Sequence, residues 1–226
     1  MKFEEYPDRD MLMIDLANHL AGEINAALMV NDTATFAVPG GSTPGPIFDV
    51  LSAASLDWSK VMVLPTDERW VAEDSPDSNA ALIKGRLLTD RAAAASFMPF
   101  YLDGVALEEG ADVLTAKLAP CLPLSVVLLG MGGDMHTASL FPGDAEAIGH
   151  HHNDSPIFHP IKMPGLAPLV PRMTLTPAAL NGAMSKHLLI TGADKREALE
   201  RARKLGDPVA APILSVLSGM TVHWAE

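Results

Sequence analysis

The sequence predicts an α/β protein in which helices cover both faces of a parallel sheet. Short apolar segments alternate along the chain with segments of helical periodicity, and loops rich in glycine or polar residues follow the strands. The apolar run at residues 124–129 is typical of a central parallel strand that is buried on both faces. Because such sheets bind ligands beyond the carboxyl ends of their strands, we expect these loops to form one shared site.

An amphipathic helix is predicted over residues 10–30. Apolar side chains recur at four-residue spacing from Leu16 to Leu28, which places them on one face of a helix. Asp8 or Asp10 offers a carboxylate that can cap the first turn. We expect this helix to pack against the sheet.

Strands and helices alternate after this helix. The predicted strands cover residues 35–38, 61–64, 97–101, 124–129, 187–191 and 221–224. The predicted helices cover residues 47–54, 79–88, 106–118, 177–184 and 194–205, and a further apolar segment lies at 212–217. Residues 143–171 are rich in His, Pro and Gly, and they predict an irregular excursion with a short strand at 156–161.

The composition predicts a single cytoplasmic domain that spans residues 1–226. With 48% hydrophobic and 19% charged residues, the chain has enough apolar surface to fold. It shows neither a signal-peptide pattern nor a run of roughly 20 apolar residues, so we expect no membrane association. The single cysteine, Cys121, fits a reducing compartment. A formal net charge of −12 argues against nucleic-acid binding, and we expect a monomer or a homodimer.

The segment PGGSTPGP after the first predicted strand has the composition of an anion-binding loop. Gly40 and Gly41 allow the backbone to approach a ligand closely, and Ser42 and Thr43 offer hydroxyl groups. The prolines suit the first turn of a following helix, whose amino end attracts anions. No Gly-Lys-Ser/Thr follows, and Pro44 stands where a nucleophile elbow needs its last glycine. A tight turn without a ligand is the alternative.

Three basic residues lie at positions where they can bind an anion. Arg69 lies in TDERW, the loop predicted after the second strand. Its neighbours Asp67 and Glu68 would orient its guanidinium towards a phosphate or carboxylate. Arg172 lies shortly before a predicted helix, and Lys195 lies at the start of another. Each of them alone is more often a solvated surface charge, so the interpretation depends on their lying together.

The segment GMGGDMHTASLFPG follows the buried strand and is the most informative one. It places Asp134 two residues before His136, and a histidine is the natural general base near neutral pH. A dinucleotide-binding loop is disfavoured, because Met135 occupies the position of the third glycine. A hydrogen-bonded structural histidine is the alternative.

Four further histidines lie close together in the chain. They are His150, His151, His152 and His159. The run lacks the i, i+4 spacing of a helical zinc site, and no matching cysteines accompany it. We therefore predict a solvated loop and no metal site.

Together these motifs resemble the 6-phosphogluconolactonase family over nearly the whole chain. The resemblance rests on GGSTP, on TDERWV with Ser78 and Asn79 behind it, and on LGMGGDMHTASLFPG, PRMTLT and TGADK. That family shares a three-layer, Rossmann-like α/β fold with the glucosamine-6-phosphate deaminases. The resemblance implies a hydrolase of a small sugar-phosphate lactone in the pentose phosphate pathway, without a cofactor.

The resemblance also implies a role for each candidate residue. His136 would be the catalytic base, with Asp134 and Arg69 beside it at the catalytic centre. Gly41, Ser42, Thr43, Arg172 and Lys195 would hold the phosphate or nearby oxygens. From their own motifs, we also assign Gly40 and Asp67 to the substrate-binding site.

Two departures bear on how the family's properties carry over. The family usually has the sequence Asp-Gly-His, whereas Met135 replaces the glycine in this chain. If the backbone at this position has a positive φ, Met135 is strained by roughly 1–3 kcal/mol. The deaminases carry a catalytic Glu in an Asn-Glu-Pro-Gly segment, where this chain reads SLFPG. A sugar-phosphate isomerase or deaminase on the same fold, and a sugar-phosphate sensor without catalysis, are the alternatives.

Overall fold

A seven-stranded parallel sheet forms the centre of the computed structural model, which describes residues 1–152, 154–162 and 170–226. In chain order the strands are β1 (Lys2–Glu5), β2 (Ala34–Val38), β3 (Val61–Pro65), β4 (Asp67–Arg69), β5 (Ser96–Phe97), β6 (Val126–Gly130), β7 (Phe158–Ile161), β8 (Arg172–Leu175), β9 (Ser185–Thr191) and β10 (Thr221–Ala225). The helices are α1 (Arg9–Val30), α2 (Gly45–Ser52), α3 (Asn79–Arg86), α4 (Leu107–Leu118), α5 (Ala145–Gly149), α6 (Pro177–Asn181) and α7 (Ala193–Leu205). Within the described ranges, none of these helices has the length and apolar character needed to cross a membrane.

The large sheet has the strand order β1-β10-β9-β6-β2-β3-β5, and all of its pairs are parallel. From β2 the chain proceeds outwards through β3 and β5, and from β6 it proceeds in the opposite direction through β9 and β10. The carboxyl ends of β2 and β6 are therefore neighbours at the point where the strand order reverses. Open α/β sheets bind their ligands at such a point.

Two hydrophobic clusters cover the two faces of this sheet, so that the fold has three layers. One cluster packs α1, α2 and α3 against the sheet, and the other packs α4, α6 and α7. Successive residues of β2 show the division, since Phe36 belongs to the first cluster and Ala37 to the second. The opening helix is confirmed as well: its apolar face is buried, and Asp8 caps its first turn. The predicted α/β fold with helices on both faces is thus confirmed.

A three-stranded antiparallel sheet of order β4-β8-β7 corrects the prediction that TDERW is a loop. Asp67 lies opposite Thr174 in this sheet, and Arg69 lies opposite Arg172. Strands of three or four residues are too short to show a clear period in the sequence. The pairing matters for function, because it brings two predicted cations together.

Other boundaries also differ from the predictions. The edge strand β1 is missing from the prediction, because its charged residues and its pairing with β10 alone remove the usual apolar signal. β5 is two residues long, α6 ends at Asn181, and a 3-10 helix occupies Pro212–Ser215. Within the excursion predicted for 143–171, α5 and the short strand β7 form, while residues 153 and 163–169 lie outside the described part of the chain.

Candidate active site

The loops that follow β2, β3, β6 and β9 border a cleft of about 310 Å³ at the carboxyl ends of these strands. The sequence-predicted residues that line it are Gly40, Gly41, Ser42, Thr43, Asp67, Arg69, His136, Arg172 and Lys195. The remaining one, Asp134, is hydrogen bonded to His136. The structure therefore brings all of the predicted site residues to one place.

The glycine loop after β2 packs closely against the start of α3. A Cβ atom on Gly40 would collide with the carboxamide of Asn79, so only glycine fits there. Gly41 has a φ of +87°, a conformation that other residues rarely adopt. Pro44 lines the cleft and directly precedes α2, so this helix begins at the cleft wall. A close backbone and the amino end of a helix are features that suit a phosphate.

His136 and Asp134 form a hydrogen-bonded pair at the cleft. The Nδ1 atom of His136 lies 2.5 Å from Oδ1 of Asp134, which also accepts the backbone N–H of His136 at 3.2 Å. Because an ionised carboxylate only accepts hydrogen bonds, Nδ1 carries a proton and Nε2 is left to accept one. Burial opposes the ionisation of Asp134, but the hydrogen bonds to the carboxylate and the charge interaction with His136 together outweigh it and lower the pKa of Asp134. The pair therefore provides the nitrogen that a general base needs.

The backbone around His136 is tightly constrained, and Gly132 packs directly against the pair. Met135 has a φ of +70° and Ala138 a φ of +47°, so a left-handed residue lies on each side of His136. A Cβ atom on Gly132 would collide with the imidazole of His136 and with the carboxylate of Asp134. Because its φ is positive, Met135 carries the backbone strain of roughly 1–3 kcal/mol that was expected for this case.

Arg172 is buried in the cleft wall with an incomplete set of partners. Its Nη1 atom lies 3.7 Å from Oδ2 of Asp67 and 3.5 Å from Oγ of Ser139, which donates to Asp67 at 2.5 Å. Its Nε atom is buried without a hydrogen-bond partner among the described residues. Burial lowers the pKa of Arg172, but the ordinary value of a guanidinium is so high that the group stays charged. An anion with several oxygens would supply the missing acceptors.

Arg69 is oriented by the start of α3, which corrects the expectation that acidic neighbours orient it. Its Nη1 atom donates to Oδ1 of Asn79 at 2.6 Å and to the carbonyl of Asp77 at 3.1 Å. Glu68 is fully buried and accepts the backbone N–H groups of Asn79 and Ala80 at 2.8 and 2.7 Å. Burial raises the pKa of Glu68 against the effect of these hydrogen bonds. Glu68 thus fixes the start of α3, and α3 in turn fixes Arg69.

Lys195 brings a third cation to the cleft. It is half-buried in the first turn of α7 and lines the cleft. Arg201 on the same helix donates to the carbonyl of Gly133 at 2.9 Å, which ties α7 to the loop after β6. Together Arg69, Arg172 and Lys195 concentrate positive charge in a protein whose formal net charge is −12.

Several cleft residues are missing from the sequence prediction. Asn79 matters most, because it accepts from Arg69 and also donates to the carbonyl of Asp67 at 2.8 Å. Its place behind the TDERWV motif is the one signal that points to it. The other unpredicted lining residues come mainly from strand ends and carry no chemical signal, and they include Met131, Leu189, Ile190 and Thr191.

The histidine run outside the cleft is only partly solvated, which corrects another expectation. His151 and His152 are exposed, whereas His150 and His159 are half-buried, with Nε2 and Nδ1 3.1 Å apart. Glu146 lies close enough to these two for the three side chains to coordinate one metal ion.

The fold and the site define an α/β protein whose cleft can hold a small anion beside a nitrogen that can accept a proton. A sequence model described as glucosamine-6-phosphate isomerases/6-phosphogluconolactonase matches residues 7–224, and the chain belongs to this family. It is 36% identical to a 6-phosphogluconolactonase of Caulobacter vibrioides, with coverage of 100% of this chain and 98% of the relative. It is 39% identical to one of Mesorhizobium japonicum, with coverage of 97% and 93%. The crystal structure of a 6-phosphogluconolactonase from Shewanella baltica matches with a TM-score of 0.93 at 32% identity, covering 100% of this chain and 98% of that one.

Proposed function

We propose that this chain hydrolyses 6-phospho-D-glucono-1,5-lactone to 6-phospho-D-gluconate, as a cytoplasmic enzyme of the oxidative pentose phosphate pathway. The observation that carries the proposal is the pair of His136 and Asp134 in a cleft that also holds three cations. The relatives that match nearly the whole chain bear the name of this activity. Because one fold hosts many activities, the proposal depends on the site and not on the fold alone.

The substrate's phosphate is assigned to the cations and the glycine loop. Arg172 and Lys195 supply positive charge, and Gly41, Ser42 and Thr43 supply N–H and hydroxyl groups beside the start of α2. The unpartnered Nε of Arg172 supports this assignment, because a buried donor without an acceptor is costly. When the phosphate is held in place, its binding energy positions the distant ester bond for reaction with water.

Gly40 and Asp67 complete the binding site. Gly40 leaves the space that the carboxamide of Asn79 occupies. Asp67 accepts from Ser139 and lies beside Arg172, so it holds the guanidinium at the cleft wall. Both residues therefore act on the shape of the site.

Hydrolysis needs a base, stabilisation of an oxyanion and a proton for the leaving oxygen. The Nε2 atom of His136 takes a proton from water while the water oxygen attacks the carbonyl carbon C1. Arg69 or backbone N–H groups stabilise the negative charge on the carbonyl oxygen of the tetrahedral intermediate. When the bond between C1 and the ring oxygen breaks, the imidazolium returns the proton to that oxygen. Asp134 orients the ring and stabilises its charged form.

We also propose that residues 1–226 act as one domain, in a monomer or a homodimer. The lining residues of the cleft come from both sheets and the loops between their strands, all within one chain, so a single chain supplies every group named in the mechanism.

Two other functions lead to different results in the same assays. A deaminase would release ammonia from glucosamine 6-phosphate, but the ring of Phe141 packs 5.0 Å from that of His136 in the segment where deaminases carry their Glu. A sugar-phosphate sensor would bind 6-phosphogluconate without accelerating hydrolysis, and Met135 would then mark a site that has lost catalysis.

The test is hydrolysis of freshly generated 6-phosphogluconolactone by chelator-treated protein, measured above the spontaneous reaction. We expect clear acceleration by the wild type and a loss of about 10²–10⁴-fold in His136→Ala. His152→Ala is the matched control, because this histidine is exposed and does not line the cleft. Folded wild-type protein that binds 6-phosphogluconate but gives no acceleration would favour the sensor, and ammonia release would favour the deaminase.

A further inference from the structure

Away from the cleft, two histidines converge on one glutamate between α1 and the sheet. The Oε1 atom of Glu23 lies 3.2 Å from Nε2 of His19, which is one turn earlier on α1. Its Oε2 atom lies 2.6 Å from Nε2 of His187 on β9. The ligand-type atoms of the three residues all lie within 4.8 Å of one another. Each nitrogen–oxygen contact is favourable only with a proton or a metal ion between the two atoms.

We propose that His19, Glu23 and His187 form a zinc-binding site. Imidazole nitrogens and a carboxylate oxygen are ligands that Zn²⁺ prefers, at distances of about 2.0–2.2 Å. Tetrahedral ligands at these distances lie about 3.3 Å apart. The separation of 3.2 Å between His19 and Glu23 already matches this value. His187 contacts the other oxygen of the carboxylate, Oε2, and a small rotation of the Glu23 side chain, which is 28% exposed, would lengthen that contact.

Helix spacing and buried partners orient the three ligands. His19 and Glu23 are four residues apart, so both side chains lie on one face of α1. The Nδ1 atom of His187 lies 3.0 Å from Nε2 of His223, whose Nδ1 lies 2.8 Å from the hydroxyl of Tyr6. Metal-binding histidines generally use their second nitrogen in such a hydrogen bond, which fixes the tautomer and the ring. With zinc bound, His187 donates from Nδ1 to His223 and keeps Nε2 for the metal.

The proposed site is open to solvent on one side and closed on the other. The side chain of His19 is 54% exposed, whereas that of His187 is 1% exposed. The hydroxyl of Ser185 lies 2.9 Å from Nε2 of His187, and a water molecule from the open side can complete a set of four ligands. His187 lies in the first half of β9, whereas the end of that strand lines the candidate active site. Zinc here would join α1 to the sheet and take no part in the lactone reaction.

A second group of metal-type ligands is the weaker candidate. Glu146, His150 and His159 also lie within coordinating distance of one another. The two histidines here pair with each other through Nε2 and Nδ1 at 3.1 Å, whereas in the first group both histidines contact the glutamate. This group therefore serves as the internal control for the first.

Calorimetric titration of the untagged, chelator-stripped full chain with zinc chloride tests the proposal. We expect the wild type to bind zinc, and His19→Ala to bind it at least about tenfold more weakly, because the variant lacks one ligand. His150→Ala, the matched variant in the other group, should keep the wild-type affinity. Zinc should also raise the Tm of the wild type and of His150→Ala by similar amounts, and raise that of His19→Ala by less at the same zinc concentration.

Three results would overturn the proposal. The first is that His19→Ala binds zinc as tightly as the wild type does. The second is that His150→Ala, and not His19→Ala, loses zinc binding. The third is that the wild type binds no zinc. Because His19 is exposed, zinc-free His19→Ala should have the Tm of zinc-free wild type, so that weaker binding reports the lost ligand. If that Tm is lower, Glu23→Gln provides the same comparison with a side chain of unchanged size.

Discussion

The left-handed backbone at Met135 predicts an unusual order of stability for two variants. Its φ of +70° favours glycine over a residue with a Cβ atom by about 1–2 kcal/mol. The greater freedom of glycine in the unfolded chain acts in the opposite direction by about 0.4–1 kcal/mol. We therefore expect Met135→Gly to be more stable than Met135→Ala by about 1 kcal/mol.

Both variants should nevertheless be less stable than the wild type. The Met135 side chain is 8% exposed and belongs to a core cluster, and truncation of a buried methionine to alanine costs about 2–5 kcal/mol. In Met135→Gly, relief of strain offsets about 1 kcal/mol of that loss. The net loss for Met135→Gly is then about 1–4 kcal/mol. Packing of the methionine thus outweighs its strain.

Equilibrium urea unfolding of the wild type and the two variants measures these differences. The same pair of substitutions at Met98 is the control, because this residue is also buried but its φ is not positive. At Met98 we expect alanine to be more stable than glycine by about 0.5–1 kcal/mol. A Met135→Gly variant less stable than Met135→Ala would refute the strain argument. Lactone hydrolysis should persist in Met135→Gly, since Asp134 and His136 are unchanged.

Other changes test the separate parts of the cleft. Gly132→Ala should reduce turnover towards that of His136→Ala, because the added Cβ displaces the catalytic pair, while calorimetry should still detect 6-phosphogluconate binding; normal turnover would contradict this. Lys195→Ala and Arg172→Ala should raise the KM for the phosphorylated lactone, and an equal effect on unphosphorylated gluconolactone would rule out the phosphate assignment. Burial opposes ionisation of Asp134, but His136 lowers its pKa below the ordinary 3.8, so ionised Asp134 contributes stability above that pH and loses it as the pH falls further. The advantage of the wild type over Asp134→Asn in unfolding free energy should therefore shrink on acidification below about pH 4, and an advantage that stays constant to about pH 2 would be inconsistent with the lowered pKa.

The large sheet was predictable because its central strands are buried on both faces. The apolar residues of β2 and β6 stand out from the polar loops on either side. β1 and β4 lack this signal, since each is short, carries charged residues and lies at a sheet edge. Their positions depend on pairing with β10 and β8, which are distant in the chain, and no local pattern records such a pairing.

The candidate site was predictable to the extent that its residues directly follow strands. Topology alone brings the glycine loop after β2 and the segment after β6 together. The orientation of Arg69 was not predictable, because it depends on Asn79, which lies on another element. The DER segment was equally ambiguous, since Glu68 is fully buried and binds backbone N–H groups. A run of charged letters does not distinguish such a carboxylate from one that faces water.

The charge of the whole protein and the charge of the cleft act on different length scales. A formal net charge of −12 repels a phosphorylated ligand at long range, but salt at physiological strength screens this repulsion beyond about 8 Å. In the proposed site, Arg172 and Lys195 attract the phosphate directly at short range. The proposed site therefore depends on short-range attraction by these two cations, which salt screens far less than it screens the long-range repulsion.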